Sequence, residues 1–399
     1  MDRLTPRFGT HITGPYYWPG AVPSVHDVVA ILQRGESIKC FGLRRIGKSS
    51  LLAEAARLLA ESERPVIRLD LQRIATIPAL LQTIIHALPQ KTGILHSMTK
   101  WFSETTTLPS QVKASVAAML ARQLASSDDE DIDRYADRLF DDTGRLLAAA
   151  DPNDRPILIL DELPMFCENV LKAAPPERRP QVVTRLNTLL ATLRNWRSID
   201  VGVPMAISGS VSMLWLQREY GILIDNVNDC ASIVVEPMSR VEAEAMVRAM
   251  IAFVAPTDWA PDIAERLCDL VPAFYTGVLQ YAFQQIRGLP ALTSVELEAL
   301  YPDRIADGLD ENYYVQFNRR LARYAAAERR AANRLFEALL TAPLTLQEAL
   351  AILAPAEDAW IDRELLDRLA DDGFVHATRH GGVRFSSGLV RVWFAGPNA

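Results

Sequence analysis

The stretch Gly42-Leu43-Arg44-Arg45-Ile46-Gly47-Lys48-Ser49 matches G-x-x-x-x-G-K-[ST] at every fixed position. Each fixed residue has a chemical reason. Glycines let the backbone wrap close to a phosphate, and successive N–H groups then point inward as an anion nest. A helix starting at the end of the loop adds the partial positive charge of its N-terminus. Lys48 suits the β- and γ-phosphates, and the Ser49 hydroxyl suits Mg²⁺. The spacing predicts a nucleoside triphosphate site, with ATP and Mg²⁺ as the expected ligands. Its residues are Gly42, Arg44, Arg45, Ile46, Gly47, Lys48, Ser49 and Ser50.

A second group lies downstream. Ile157-Leu158-Ile159-Leu160 runs apolar into Asp161-Glu162, so a buried strand ends in two carboxylates. Asp161 suits the Mg²⁺ shell, and Glu162 suits orienting or deprotonating an attacking water. Glu162 therefore argues for hydrolysis and not binding alone. Another apolar run ends in Ser208-Gly209-Ser210. A polar residue at that tip, Ser208 first and Ser210 second, has the position to contact the γ-phosphate or the water; an ordinary turn after a strand uses the same residues. The expected catalytic set is Glu162, Lys48 and Ser208, with Ser49 and Asp161 on the metal. Arg194, Arg197 and Arg218 are arginine-finger candidates, although for any single one a solvated helix face is the favoured reading.

Strands and helices must hold these groups. Periodicity predicts strands at 37–41, 66–71, 156–160, 203–208 and 232–236, and helices at 24–33, 48–61, 77–88 and 181–196. Alternation of the two predicts an α/β fold, a parallel sheet with helices on both faces. Residues 91–150 read as a helical insertion. After Pro237 the pattern turns all-helical, with helices at 239–253, 261–270, 276–287 and 294–307. Three more helices, at 325–340, 345–353 and 358–371, precede strands at 374–378 and 382–386, the order of a winged helix. The expected domains are a P-loop ATPase domain 1–237, a helical lid 238–312 and a winged helix 313–399.

Composition narrows the setting. The 399 residues are 49% hydrophobic, enough to bury a sizeable core. No apolar run approaches the length of a membrane span, and the first residues lack a signal-peptide core. A cytoplasmic protein without membrane contact is expected. Cys40, Cys167, Cys230 and Cys268 form no CxxC pair and read as small buried hydrophobes. The net charge of −7 confines any nucleic-acid contact to a local patch.

Four stretches resemble the archaeal-type ATPases of the STAND/AAA+ group, which share a layout with Orc1/Cdc6-like initiators. They are Gly42-Leu43-Arg44-Arg45-Ile46-Gly47-Lys48-Ser49-Ser50-Leu51; Leu160-Asp161-Glu162-Leu163-Pro164; Ile207-Ser208-Gly209-Ser210-Val211-Ser212-Met213-Leu214; and Val234-Val235-Glu236-Pro237-Met238-Ser239. The resemblance implies ATP binding, slow regulated hydrolysis and nucleotide-driven changes in assembly.

The C-terminal segment qualifies what such a protein would bind. The expected recognition helix carries Asp358, Asp362, Glu364, Asp367, Asp371 and Asp372 against Arg363 and Arg368, a pattern that phosphates repel. Its wing is basic at Arg379, His380 and Arg384, and Arg391 is a candidate to join it. A protein partner or self-assembly is favoured over DNA. The leading expectation is a regulatory ATPase. The alternatives are a DNA-associated ATPase of replication-initiator or transposition-loader type, and a nucleotide-bound scaffold that does not hydrolyse.

Overall fold

The computed structural model describes residues 4, 12–62, 65–87, 140, 143, 144, 147, 155–198, 200–255, 258–354, 359–378 and 382–396. Most of the expected insertion 91–150 lies outside these residues, as do Asp358, Arg379 and His380. By their contacts the residues fall into two compact units, and these interleave along the chain. One is Val25–Phe41 with Leu52–Ile233; the other is Met1–Ser24, Gly42–Leu51 and Val234–Ala399. The expected division near residue 237 therefore does not describe the loop Gly42–Leu51, whose contacts belong with the C-terminal half.

The first unit is built on a parallel sheet. Its elements are α1 (Val25–Gln33), β1 (Ile38–Phe41), α2 (Lys48–Glu61, of which the first turn through Leu51 falls with the other unit), β2 (Val66–Asp70), α3 (Ile77–Ala87), β3 (Ile157–Asp161), α4 (Leu163–Ala173), α5 (Arg179–Arg197), β4 (Met205–Gly209), α6 (Met213–Tyr220) and β5 (Ala231–Ser232). The five strands run in the order β2-β3-β4-β1-β5. This is the flanked parallel sheet of a P-loop NTPase. Every residue of β3 and β4 is buried, as continuous apolar runs in the middle of a covered sheet require. Leu158, Leu160 and Ile207 share a core with Phe166 and Leu171 of α4 and with Leu189, Leu193 and Trp196 of α5. Each such Leu or Ile contributes about 1.5–3 kcal/mol by leaving water.

Register makes the strand ends level. Phe41 pairs with Gly209, and Leu160 pairs with Ile207. The carboxyl ends of β1, β3 and β4 thus lie side by side in one sheet edge, and the chain leaves β1 at Phe41 directly into Gly42.

Periodicity missed two helices here and overextended one strand. α4 starts with Leu163-Pro164, and proline there reads as a break; it stands in the first helical turn, where its missing N–H costs nothing. α6 is short, capped by Ser212, whose side chain accepts the Trp215 N–H at 3.0 Å, and closed by left-handed Gly221. The last strand stops at Ser232, although the Ile233 N–H still donates to the Lys39 carbonyl. Beyond it the Glu236 N–H turns to the Val22 carbonyl, and Pro237 has no N–H to extend a ladder.

The second unit is helical. It contains α7 (Arg240–Val254), α8 (Ile263–Leu270), α9 (Thr276–Ile286) and α10 (Ser294–Leu300). From α10 the chain stays helical through wide π turns, Tyr301–Ala306 and Asp310–Tyr314, into α11 (Val315–Leu321). The expected 312/313 boundary falls inside this run. Ser239, Thr293 and Thr345 cap their helices through side-chain oxygens, Thr293 and Thr345 in reciprocal boxes with Glu296 and Glu348. Short strands β6 (Asp258–Trp259) and β7 (Ala291–Leu292) pair in parallel.

The C-terminal module follows in the expected order: α12 (Ala326–Thr341), α13 (Leu346–Leu353), α14 (Ala359–Asp371), β8 (Val375–Thr378) and β9 (Gly382–Phe385). One more helix, α15 (Gly388–Ala395), closes it. Aromatic rings fill its centre: Trp393 lies 5.2 Å from Phe317 and 5.6 Å from Phe374, and Phe336 lies 5.5 Å from Phe374. Phe317 comes from α11, so the helix just past the expected 312/313 boundary is part of this core.

Candidate nucleotide site

The loop has the backbone that its sequence demands. Gly42 and Gly47 take positive φ values of 151° and 117°. A Cβ on Gly47 would come within 3.0 Å of Thr276 Oγ1, at the start of α9. Approach is closer still at Gly277, where a Cβ would lie 2.1 Å from the Arg45 carbonyl oxygen. Arg45 itself is left-handed, with φ of 65°, a conformation that costs a non-glycine residue about 1–2 kcal/mol.

Lys48 opens α2 and is 5% exposed. Its ammonium donates to the Leu43 carbonyl at 2.5 Å and the Gly42 carbonyl at 3.2 Å. A buried ammonium bonded to neutral carbonyls is poised to exchange them for anionic oxygens, which make stronger charge-assisted bonds. Ser49 and Ser50 occupy the first turn of α2, whose leading N–H groups have no acceptor within the helix. The Ser50 hydroxyl accepts the Ile12 N–H at 3.1 Å.

Beside the loop a pocket is lined by Tyr17, Val22, Ile46, Leu51, Met238 and Thr276, among others. Of these, Ile46 is expected at the site from its place in the loop motif; Tyr17, Val22, Leu51, Met238 and Thr276 lie outside the G-x-x-x-x-G-K-[ST] pattern.

The acidic groups stand in the sheet unit. Asp161, 3% exposed, accepts the Ser208 hydroxyl on Oδ1, and Arg68 Nη2 lies 3.5 Å from its Oδ2. Glu162 is left-handed, with φ of 65°, at the turn from β3 into α4. Its Oε2 accepts both the backbone N–H and the hydroxyl of Ser210, at 3.0 and 2.9 Å. Ser208 and Ser210 therefore divide the work: Ser208 holds Asp161, and Ser210 holds Glu162. Gly209 between them has a steric reason, because a Cβ there would meet Pro164 at 2.5 Å. Arg68 is the one basic residue in the strand Val66–Asp70.

The arginine candidates fall elsewhere. Arg197 donates from Nε and Nη2 to the two oxygens of Asp229, at 2.9 and 2.8 Å, and also from Nη2 to the Asn226 carbonyl. It sits beside Met205, the first residue of β4, and so at the opposite end of that strand from Ser208. Its guanidinium holds the Asp229 carboxyl below its ordinary pKa against the opposing effect of burial, the largest single influence. Arg194 and Arg218 are exposed on α5 and α6.

The Asp161 carboxylate and the Ser49 hydroxyl are each hard oxygen donors of the kind Mg²⁺ takes. Among the described residues no cluster of three or more His, Cys, Asp or Glu side chains forms a metal cage. Mg²⁺ commonly takes few protein ligands and completes its shell with water and phosphate. Among the same residues no helix is long and apolar enough to cross a membrane.

Similar chain layouts occur in solved structures. The Walker-type ATPase of Pyrococcus abyssi is 14% identical, over 93% of this chain and 94% of that one, with a TM-score of 0.47. The Aeropyrum pernix ORC2 protein, in its ADPNP–ADP complexes, is 13% identical over 92% and 90%, with a TM-score of 0.46. DnaA from Aquifex aeolicus bound to AMPPCP is 12% identical over 87% of each chain, with a TM-score of 0.35. Neither a scan of protein-family models nor a comparison with curated proteins found a match.

Proposed function

We propose that this chain is a Mg²⁺-dependent ATPase of the AAA+ type, slow and regulated, whose nucleotide state controls assembly or the binding of a protein partner. One observation carries the proposal: β4 lies between β1 and β3, so the strand that leads into the Lys48 loop and the strand that ends in Asp161-Glu162 flank the Ser208-Gly209-Ser210 tip. Nucleotides bind at the carboxyl ends of parallel strands in such sheets. Lys48 and the N–H groups of Gly47, Lys48, Ser49 and Ser50 take the phosphates. Ser49 and Asp161 would hold Mg²⁺, which would supply charge neutralisation at the phosphates. Glu162, fixed by Ser210, orients the attacking water and takes its proton.

The acid balance of the C-terminal module favours a protein partner over DNA. On α14, Arg363 is paired with Asp367 at 3.1 Å, and Arg368 with Glu328 at 2.8 Å. Arg391 does not join the ribbon as expected, because the chain turns into α15 at Gly388; its guanidinium donates to the Leu340 carbonyl at 3.4 Å. Arg384 remains exposed on β9, and Arg379 lies outside the described residues.

Phosphate release and molar mass, measured with ATP and Mg²⁺ in the presence and absence of duplex DNA, test the proposal. Turnover with nucleotide-dependent mass and indifference to DNA is the expected result. DNA-stimulated turnover selects the initiator or loader alternative. Bound ADP without turnover selects the scaffold.

A further inference from the structure

Within the second compact unit, α11 and the C-terminal module contact the phosphate loop itself. Gln316 Oε1 accepts the Arg44 N–H at 2.8 Å, and the Tyr313 hydroxyl donates to the Arg45 carbonyl at 3.4 Å. Arg320 spans further. Its Nη2 donates to the Gly42 carbonyl at 3.3 Å, and its Nη1 donates to the Asp372 carbonyl in the turn between α14 and β8. The next residue, Gly373, has φ of 77°, and a Cβ there would come within 3.0 Å of Leu43 Cδ2. The Tyr324 hydroxyl donates to Asp372 Oδ2 at 2.6 Å, and the Arg368 guanidinium stacks over the Tyr324 ring at 4.4 Å. The turn is thereby locked from its other side.

Burying a guanidinium is costly, and Arg320 is only 5% exposed. Burial lowers its pKa, with Asp372 opposing, and burial raises that of Asp372, with Arg320 opposing. Packing alone would be met more cheaply by an apolar residue. What the guanidinium adds is a fixed fork joining two carbonyls, one in the loop and one in the module. Lys48 and Arg320 converge on the same Gly42 carbonyl. A triphosphate draws the ammonium away, because phosphate oxygens are the stronger acceptors. Arg320 is then the donor that keeps that carbonyl turned outward.

We propose that Arg320 is a positioning residue that couples occupancy of the phosphate loop to seating of the C-terminal module. The phosphate-binding form of the loop and the docked form of the 372–374 turn stabilise each other. Coupling of this kind is reciprocal. A partner that holds the module docked tightens nucleotide binding, and one that pulls it away loosens it. The proposal rests on the nucleotide site proposed above and names its regulation.

Hydrogen exchange on the full chain, with and without Mg²⁺ and adenylyl imidodiphosphate, tests it alongside the affinity for a fluorescent ATP analogue. Nucleotide is expected to raise protection of residues 372–374 about fivefold or more, the low end of ordinary coupling. Arg320→Gln is expected to weaken nucleotide binding and abolish that rise, and Arg320→Lys to restore part of both. Tyr313→Phe and Gln316→Ala, which leave the buried charge in place, are expected to reduce the rise. A residue with a merely structural role would lower stability and leave the nucleotide response intact, and that result in Arg320→Gln overturns the proposal. So does a wild-type chain that binds nucleotide with no change at 372–374, in which case the nucleotide site stands. A wild-type chain that binds no nucleotide removes both.

Discussion

Ser210 gives both its donors, backbone N–H and hydroxyl, to a single oxygen of Glu162. Glu162 stands at a left-handed residue, a costly conformation that the chain holds only because the surroundings fix it. The pair of hydrogen bonds from Ser210 is one such fixture. The Gly209–Pro164 approach is another, since it brings the β4 tip against the start of α4.

Separate roles for binding and turnover follow from that arrangement. Glu162→Gln is expected to retain ATP affinity and lose about 10²–10⁴ in kcat, the usual worth of a general base. Ser210→Ala keeps the backbone bond and loses the hydroxyl, so kcat should fall roughly tenfold, about the value of one hydrogen bond to a charged group. Single-turnover hydrolysis beside equilibrium binding separates the two effects. Wild-type turnover in Glu162→Gln would remove Glu162 from the reaction.

Lys48 is expected to act on binding. Lys48→Ala leaves the Gly42 and Leu43 carbonyls without their ammonium and the phosphates without their cation. A charge-assisted bond is worth about 1.5–3 kcal/mol, so affinity should fall at least about tenfold. Calorimetric titration with ATP reads this directly. Affinity within twofold of wild type would place the triphosphate elsewhere.

Much of this was legible in the chain, for physical reasons. A G-x-x-x-x-G-K-[ST] loop after an apolar run leaves few alternatives, and β3 is continuous in hydrophobicity because it is buried on both faces. α4 was hidden by Pro164, which breaks a helix interior and starts a first turn equally well. The division of labour between Ser208 and Ser210 was not legible, because it depends on the β3–β4 register. Arg320 carried no signal at all: it stands in an ordinary Arg-rich helix, and its partners are carbonyls some 50 and 280 residues away in sequence.

Steric fit at the loop is testable with two alanines. A Cβ on Gly277 would overlap the Arg45 carbonyl, whereas Gly288 has no atom within 4 Å of the same position. Overpacking typically costs about 1–3 kcal/mol. Gly277→Ala should lower Tm and weaken ATP binding together, while Gly288→Ala should stay within about 0.5 kcal/mol of wild type. Equal Tm values in the two variants would contradict the close approach of α9 to the loop.

Alkaline pH should unfold the protein before its lysines and arginines titrate fully. Burial pushes the thiols of Cys167 and Cys268 up to about 12, and the phenols of Tyr275 and Tyr301 also to about 12. In the unfolded chain a thiol ionises near about 8.5 and a phenol near about 10. Above those values the unfolded state has lost protons that the folded state retains. It therefore binds fewer protons, and stability falls as pH rises. The contribution of Cys167 is fully present below about pH 8.5 and declines by about 1.4 kcal/mol per pH unit up to about 12. Denaturant midpoints at pH 8, 9 and 10 should fall progressively. Cys167→Ala, whatever its stability at pH 7, should show a shallower fall. A midpoint constant over that interval would mean that these thiols ionise in the folded protein as readily as in the unfolded chain.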